Sequence, residues 1–167
     1  MLYTTFVILH LIFVGIAVGI VAVTIIGRIT GKAGRGTMGE LLMIRSMANL
    51  GEIMGKLALI GLLVTGVALT LIQYSFFPFS TFPWLAFKQC VFIVLMVVAF
   101  VGTIPRGEKI KKMAIAELQG ANAMSGASEE LRALVSRQFA TVILIGILVL
   151  TNMTLGESKA MMWVTGQ

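Results

Sequence analysis

The chain has 167 residues, 58% of them hydrophobic and only 12% charged, about half the charged share of a soluble domain. A mean hydropathy of +1.00 then excludes a soluble globular protein. There is no Asp, one His and one Cys, which also excludes two-metal carboxylate sites, Cys-rich zinc sites, disulfides and CxxC redox pairs.

Four stretches, 1–27, 57–87, 89–105 and 138–156, contain no Asp, Glu, Lys or Arg. This alternation of charge-free runs with polar segments predicts an all-α, integral membrane four-helix bundle forming a single membrane domain over 1–167. The first span is expected over about 2–27, roughly 38 Å of helix against a hydrocarbon core of about 30 Å. No Lys or Arg precedes it, and its length exceeds a signal-peptide core, so it is expected to remain as a span. The second span is placed at about 57–77, ending in Tyr74, Phe76, Phe77, Phe79, Phe82 and Trp84 with Pro78 and Pro83, the composition of an interfacial turn. The third covers about 84–104, closed by Pro105, and the fourth about 138–155.

Arg28, Lys32, Arg35, Arg45 and Lys56 lie in the first long loop, and Arg106, Lys109, Lys111, Lys112, Arg132 and Arg137 in the second; only Lys88 and Lys159 lie elsewhere. Because cations accumulate on the cytoplasmic side, both termini and the 78–83 turn are expected outside, the two basic loops inside. A bacterial plasma (inner) membrane fits this pattern.

Thr37-x-x-Glu40 predicts a capping box opening a helix that runs into the second span. Glu52 and Lys56 are spaced to pair at i,i+4. Segment 108–118 carries Ile110, Met113, Ala114 and Leu118 on one face, which predicts a basic amphipathic helix against anionic headgroups. Ser128 before Glu129 and Glu130 predicts an N-cap and a helix continuing into the fourth span. Arg28, Lys32, Arg35, Lys109, Lys111 and Lys112 are the cations expected to face lipid headgroups.

The glycine-rich 27–39 segment is not a phosphate loop, because Gly31-Lys32 is followed by Ala33 and preceded by a membrane helix. It reads as a basic turn near lipid phosphates. Gly15-x-x-x-Gly19 and the Gly61/Thr65 pair allow close helix approach, within the bundle or with another chain.

His10 is the one intramembrane group that titrates near neutral pH, roughly 10 Å deep from the outer end. Gly15 and Gly19 lie about 140° and 180° round the helix from it. Three roles are open: a neutral histidine bonded across the bundle, a haem b or copper ligand, or a proton or quinone contact. Haem b usually takes two axial ligands, and Met153, with Met1, Met161 and Met162 beyond it, lies on the same side. Thioethers favour Cu(I), although methionine is also an ordinary packing residue.

Tyr3 to His10 before a Gly-containing first span, Thr65-Gly66 in the second, Trp84-x-x-x-Lys88 opening the third and Pro105-Arg106 closing it resemble the small integral membrane proteins similar to copper resistance protein D. The resemblance implies a four-helix bundle, His10 as the matching polar position, and Trp84 and Lys88 as an outer interfacial anchor. Such proteins typically carry a Trp and paired glycines after the first-span His; Val14-Gly15 and Val18-Gly19 occur here without the Trp, which weighs against metal transport. Intramembrane carboxylates and shared repeats, the marks of a carrier, are absent from the spans. The expected function is therefore non-enzymatic: an accessory or structural membrane subunit, bound to lipid, to other subunits or to itself, with no nucleic-acid partner. A haem b- or copper-binding protein using His10 is the alternative.

Overall fold

The computed structural model describes residues 1–73, 76–77, 82–120 and 123–164. All regular structure among them is helical: α1 (Leu2–Thr30), α2 (Met38–Gln73), α3 (Pro83–Val97), a π-helical segment (Val98–Thr103), α4 (Ile104–Gln119) and α5 (Glu129–Val164). Short 3-10 turns occupy Gly31–Gly34 and Ala123–Ser125. α3, the π segment and α4 follow one another without a break, so four rods are long and apolar enough to cross a membrane.

Each rod runs antiparallel to its neighbours, as the pairing of residues along them shows. Phe13 packs on Gly61 and Met47 on Gly27 between α1 and α2. Lys56 meets Glu108 and Lys111 meets Glu52 between α2 and α4. Asn152 donates to the Lys88 carbonyl between α5 and α3, and Val21 lies against Gly146 between α1 and α5. The ring order is therefore α1, α2, the α3–α4 rod, α5.

The expected boundaries need three corrections. Phe77, the expected end of the second span, is already off the helix, with φ +49° and its N–H donating to Gln89 Oε1 at 2.6 Å, while the described part of α2 runs to Gln73. Residues 74, 75 and 78–81, most of the expected aromatic turn, lie outside the described residues. Pro105 does not close the third span. The Ile104 N–H has already switched to the Ala99 carbonyl, an i−5 bond, so the helix widens by a turn just before the proline and continues to Gln119. α5 likewise continues past 155 to Val164.

The 108–118 segment is helical and amphipathic, and it continues the α3 rod as part of the bundle. Its apolar face turns inward: Ile110 and Ala114 are buried with Leu41, Ala127 and Leu131, and Met113 and Leu118 pack on that cluster. Here the bundle extends beyond the charge-free stretches, and an apolar face in water must find apolar partners. Inside those stretches the demand disappears. None of the most apolar 18 residues of α1 is buried, as expected where the surrounding solvent is hydrocarbon.

The basic end is closed by one carboxylate. α2 begins at Met38, directly after Thr37, yet the reciprocal capping box does not form: the Thr37 hydroxyl donates to the Gly34 carbonyl at 2.7 Å, and the Glu40 side chain turns inward. Glu40 Oε2 accepts from the Gly36 N–H at 3.0 Å, from the Ala127 N–H at 3.3 Å and from Arg132 Nη2 at 2.7 Å, while Oε1 accepts from Arg132 Nε at 2.9 Å. Gly36 and Gly126, both at φ +77°, bring the two loops together there; a Cβ on Gly126 would collide with Glu40 Oε2 and the Gly36 backbone. Ser128 caps α5 as expected, accepting from the Leu131 N–H at 3.2 Å, and is held in turn by Glu117 of α4.

Glu40 lies 17 residues before the charge-free run that starts at Leu57. The Arg132 guanidinium, then the Gly36 and Ala127 N–H groups, hold its carboxyl down from an ordinary 4.5 to about 2, against an opposing effect of burial. A depressed carboxylate contributes stability above its unfolded value and loses it as pH falls toward the folded one. Thermal unfolding in detergent is therefore expected to show Tm falling between about pH 4.5 and 2 more steeply in wild type than in Glu40→Gln, which at neutral pH is less stable by about 3 kcal/mol. Parallel pH profiles for the two proteins would contradict this role.

Candidate functional site

His10 lies in α1 and points across the bundle to α2. Its Nδ1 is 2.8 Å from Thr65 Oγ1, and the Thr65 hydroxyl is 2.6 Å from the Gly61 carbonyl. One hydroxyl proton cannot serve both acceptors. With Thr65 donating to Gly61, as helical Thr does, Nδ1–H donates to Thr65 and the Nε2 lone pair is left available. Gly66 lies against the ring, where an added Cβ would stand in ordinary contact 3.7 Å from Cε1. The Lys88 ammonium lies within electrostatic reach of His10.

Met153 is not brought to this site. It is 38% exposed on α5; with Val21 opposite Gly146, Met153 stands level with Val14, about one turn from His10 along the axis. The side chains of Met161 and Met162 lie outside the described residues. Among the described residues no three His, Cys, Asp or Glu side chains gather around one point.

The small-residue pairs separate into two kinds. Gly61 is filled by the Phe13 ring, where an added Cβ would collide with ring carbons, and Thr65 is 3% exposed beneath His10. This pair packs α1 on α2. Gly15 and Gly19 are exposed, and a Cβ on either would meet nothing of this chain within 4 Å. Trp84 and Lys88 sit in the first turns of α3, both half-buried.

The basic residues also separate. Lys111 pairs with Glu52 at 2.9 Å, and Lys56 bridges Glu52 at 3.3 Å, as its spacing predicts, and Glu108 at 3.2 Å. Lys109 approaches Glu130 at 3.7 Å, whereas Lys112 is exposed. These pairs are individually weak, but Lys111–Glu52 and Lys56–Glu108 join α2 to α4, and Lys109–Glu130 joins α4 to α5. The Lys32 side chain lies outside the described residues.

Arg28 and Arg35 line a cavity that sequence reading missed. It holds about 230 Å³ and runs between the four rods, more than ten times the space one water needs. Its α5 wall extends from Arg132 to Val149, roughly 26 Å of helix. Most of the wall is apolar, with Ala58, Leu62, Leu95 and Ala99 among its residues; the basic end carries Arg28, Arg35, Glu40, Arg132 and Gln138. Arg28 stands over the Phe139 ring at 5.8 Å. Gln138 Nε2 donates to the Thr103 carbonyl of the π segment at 3.2 Å, and its Oε1 is buried without a partner. The sequence signal for this polar end was a Gln opening the fourth charge-free run; the cavity itself has no local signature.

The packing distinction is testable. Gly61→Leu must displace the Phe13 ring and is expected to destabilise the detergent-solubilised protein by about 1–3 kcal/mol, seen as a lower Tm. Gly15→Leu, facing open space, should leave Tm unchanged; equal losses from the two would refute the assignment.

No family model, curated protein or solved structure matches this chain, and the resemblance to proteins like copper resistance protein D stands on the residues quoted above alone.

Proposed function

We propose that this protein is a non-enzymatic, multi-pass membrane subunit that docks against another membrane helix, from a larger complex or a second copy, through the outer face of α1. The carrying observation is the open Gly15/Gly19 stripe, which none of the described residues covers while the comparable Gly61 is filled by Phe13. Small residues of this kind let backbones approach closely in lipid, where packing rather than hydrophobicity drives association. The two basic loops, holding eleven of thirteen cations, favour a cytoplasmic basic end, outward termini and an anionic inner leaflet, as in a bacterial plasma membrane.

Co-purification in mild detergent, with cross-linking, tests the docking face. A fixed partner or a dimer is expected with wild type and is lost in Gly15→Leu/Gly19→Leu without a fall in Tm. A stable lone monomer sinks the proposal. For orientation, Met124, 78% exposed between α4 and α5, is replaced by Cys in a Cys90→Ala background; labelling by an impermeant maleimide is expected only from the cytoplasmic side.

One observation favours the second reading, haem b or copper at His10. The Nδ1–Thr65 bond fixes the tautomer that presents Nε2, the arrangement of a metal-ligating histidine. A second axial ligand for haem would come from Met153 or from another chain. This reading expects a Soret band or stoichiometric copper in the purified protein, removed by His10→Ala; a colourless, metal-free preparation excludes it.

A further inference from the structure

We infer that the cavity between the four rods binds the acyl chain of a single-chain anionic amphiphile, with its carboxylate or phosphate head received by Arg28 and Arg35 at the basic end. The shape is the first reason. About 230 Å³ distributed along an α5 wall from Arg132 to Val149, roughly 26 Å, suits one extended chain rather than a compact solute. The second is the division of the lining, with the charged and amide side chains, Glu52 and Gln138 included, in one half and apolar residues such as Leu59, Leu62, Leu95 and Val149 in the other. Filling such a wall with methylenes gains apolar contact that water cannot give.

Charge at the polar end gives the third. Arg132 is neutralised by Glu40, and Glu52 by Lys111 and Lys56. Arg28 and Arg35 make no ion pair among the described residues, so the cavity mouth has an excess of two cations. Arg28 is held in place over Phe139, with its hydrogen-bond donors left for an anion. The buried Gln138 Oε1 without a partner is an acceptor suited to a hydroxyl on the head. The π segment, whose Ala99 and Thr103 form part of the wall, belongs to a class of irregularity concentrated at functional sites.

The full chain in lipid nanodiscs, titrated with palmitate, palmitoyl-lysophosphatidate and hexadecanol and read by native mass spectrometry, tests this. One palmitate or lysophosphatidate should bind saturably, at least tenfold tighter than hexadecanol. Tighter palmitate assigns a free fatty acid, tighter lysophosphatidate a phospholipid-derived ligand. Arg28→Gln/Arg35→Gln should erase the preference for anions. Gly55 lines the cavity, and a Cβ there meets nothing within 4 Å; Gly55→Leu should therefore fill the space and abolish binding with Tm no lower. Equal binding of hexadecanol, no saturable binding of either anion, or unchanged binding in Gly55→Leu overturns the inference. Because the arginine variants are read by head preference alone, they decide the matter even if the leucine variant folds poorly.

Discussion

The bidentate pairing of Glu40 with Arg132 is the polar contact that ties both connecting loops to the bundle, beside the apolar packing of Leu41 with Ala127 and Leu131. One carboxylate on the first turn of α2 engages the loop before it, the loop before α5 and α5 itself. With the guanidinium and two backbone N–H groups around it, it meets the condition for a buried charge: both carboxylate oxygens accept hydrogen bonds and the charge is paired. The two connecting loops thereby become mutual partners, and the positive-φ glycines that let them touch follow from that geometry.

Around this clasp lies the best-packed apolar region, centred on Leu41 and Leu131, and it lies outside the charge-free runs. The spans themselves are joined differently. His10 to Thr65, Asn152 to the Lys88 carbonyl and Arg106 to Thr141 are single polar contacts between rods, while other hydroxyls turn back on their own helices, as Thr24 and Thr70 do. The two halves obey different solvents. Water forces burial at one end; hydrocarbon rewards close backbone approach and paired polar groups at the other.

The rods, the helix that starts at Met38, the Ser128 cap and the Glu52–Lys56 pair were legible, because each depends on spacing along one segment. What the sequence concealed was set by distance in space. Glu40 had a plausible local task three residues from Thr37, and only the arrival of Arg132 from 92 positions away explains why it takes another. Pro105 looked like a terminus because the π turn that absorbs it has no composition of its own. Residues 108–118 showed the correct amphipathic face, but periodicity does not say whether that face meets lipid or protein. The same ambiguity hid the cavity, whose wall is assembled from all four rods.

Several of the contacts that position these rods pair a glycine with one bulky or charged side chain: Gly61 with Phe13, Gly27 with Met47, Gly126 with Glu40. In each, the volume missing from one residue is occupied by the other, so the two positions are coupled. A side chain can be gained at 61 only if the Phe13 ring on the facing helix moves or shrinks, whereas at 27 the flexible end of Met47 can swing aside. At 126 the positive φ removes even that route. The seam between α1 and α2 is therefore coupled through the Gly61–Phe13 pair, and at Gly126, where the loops cross, any side chain is strained.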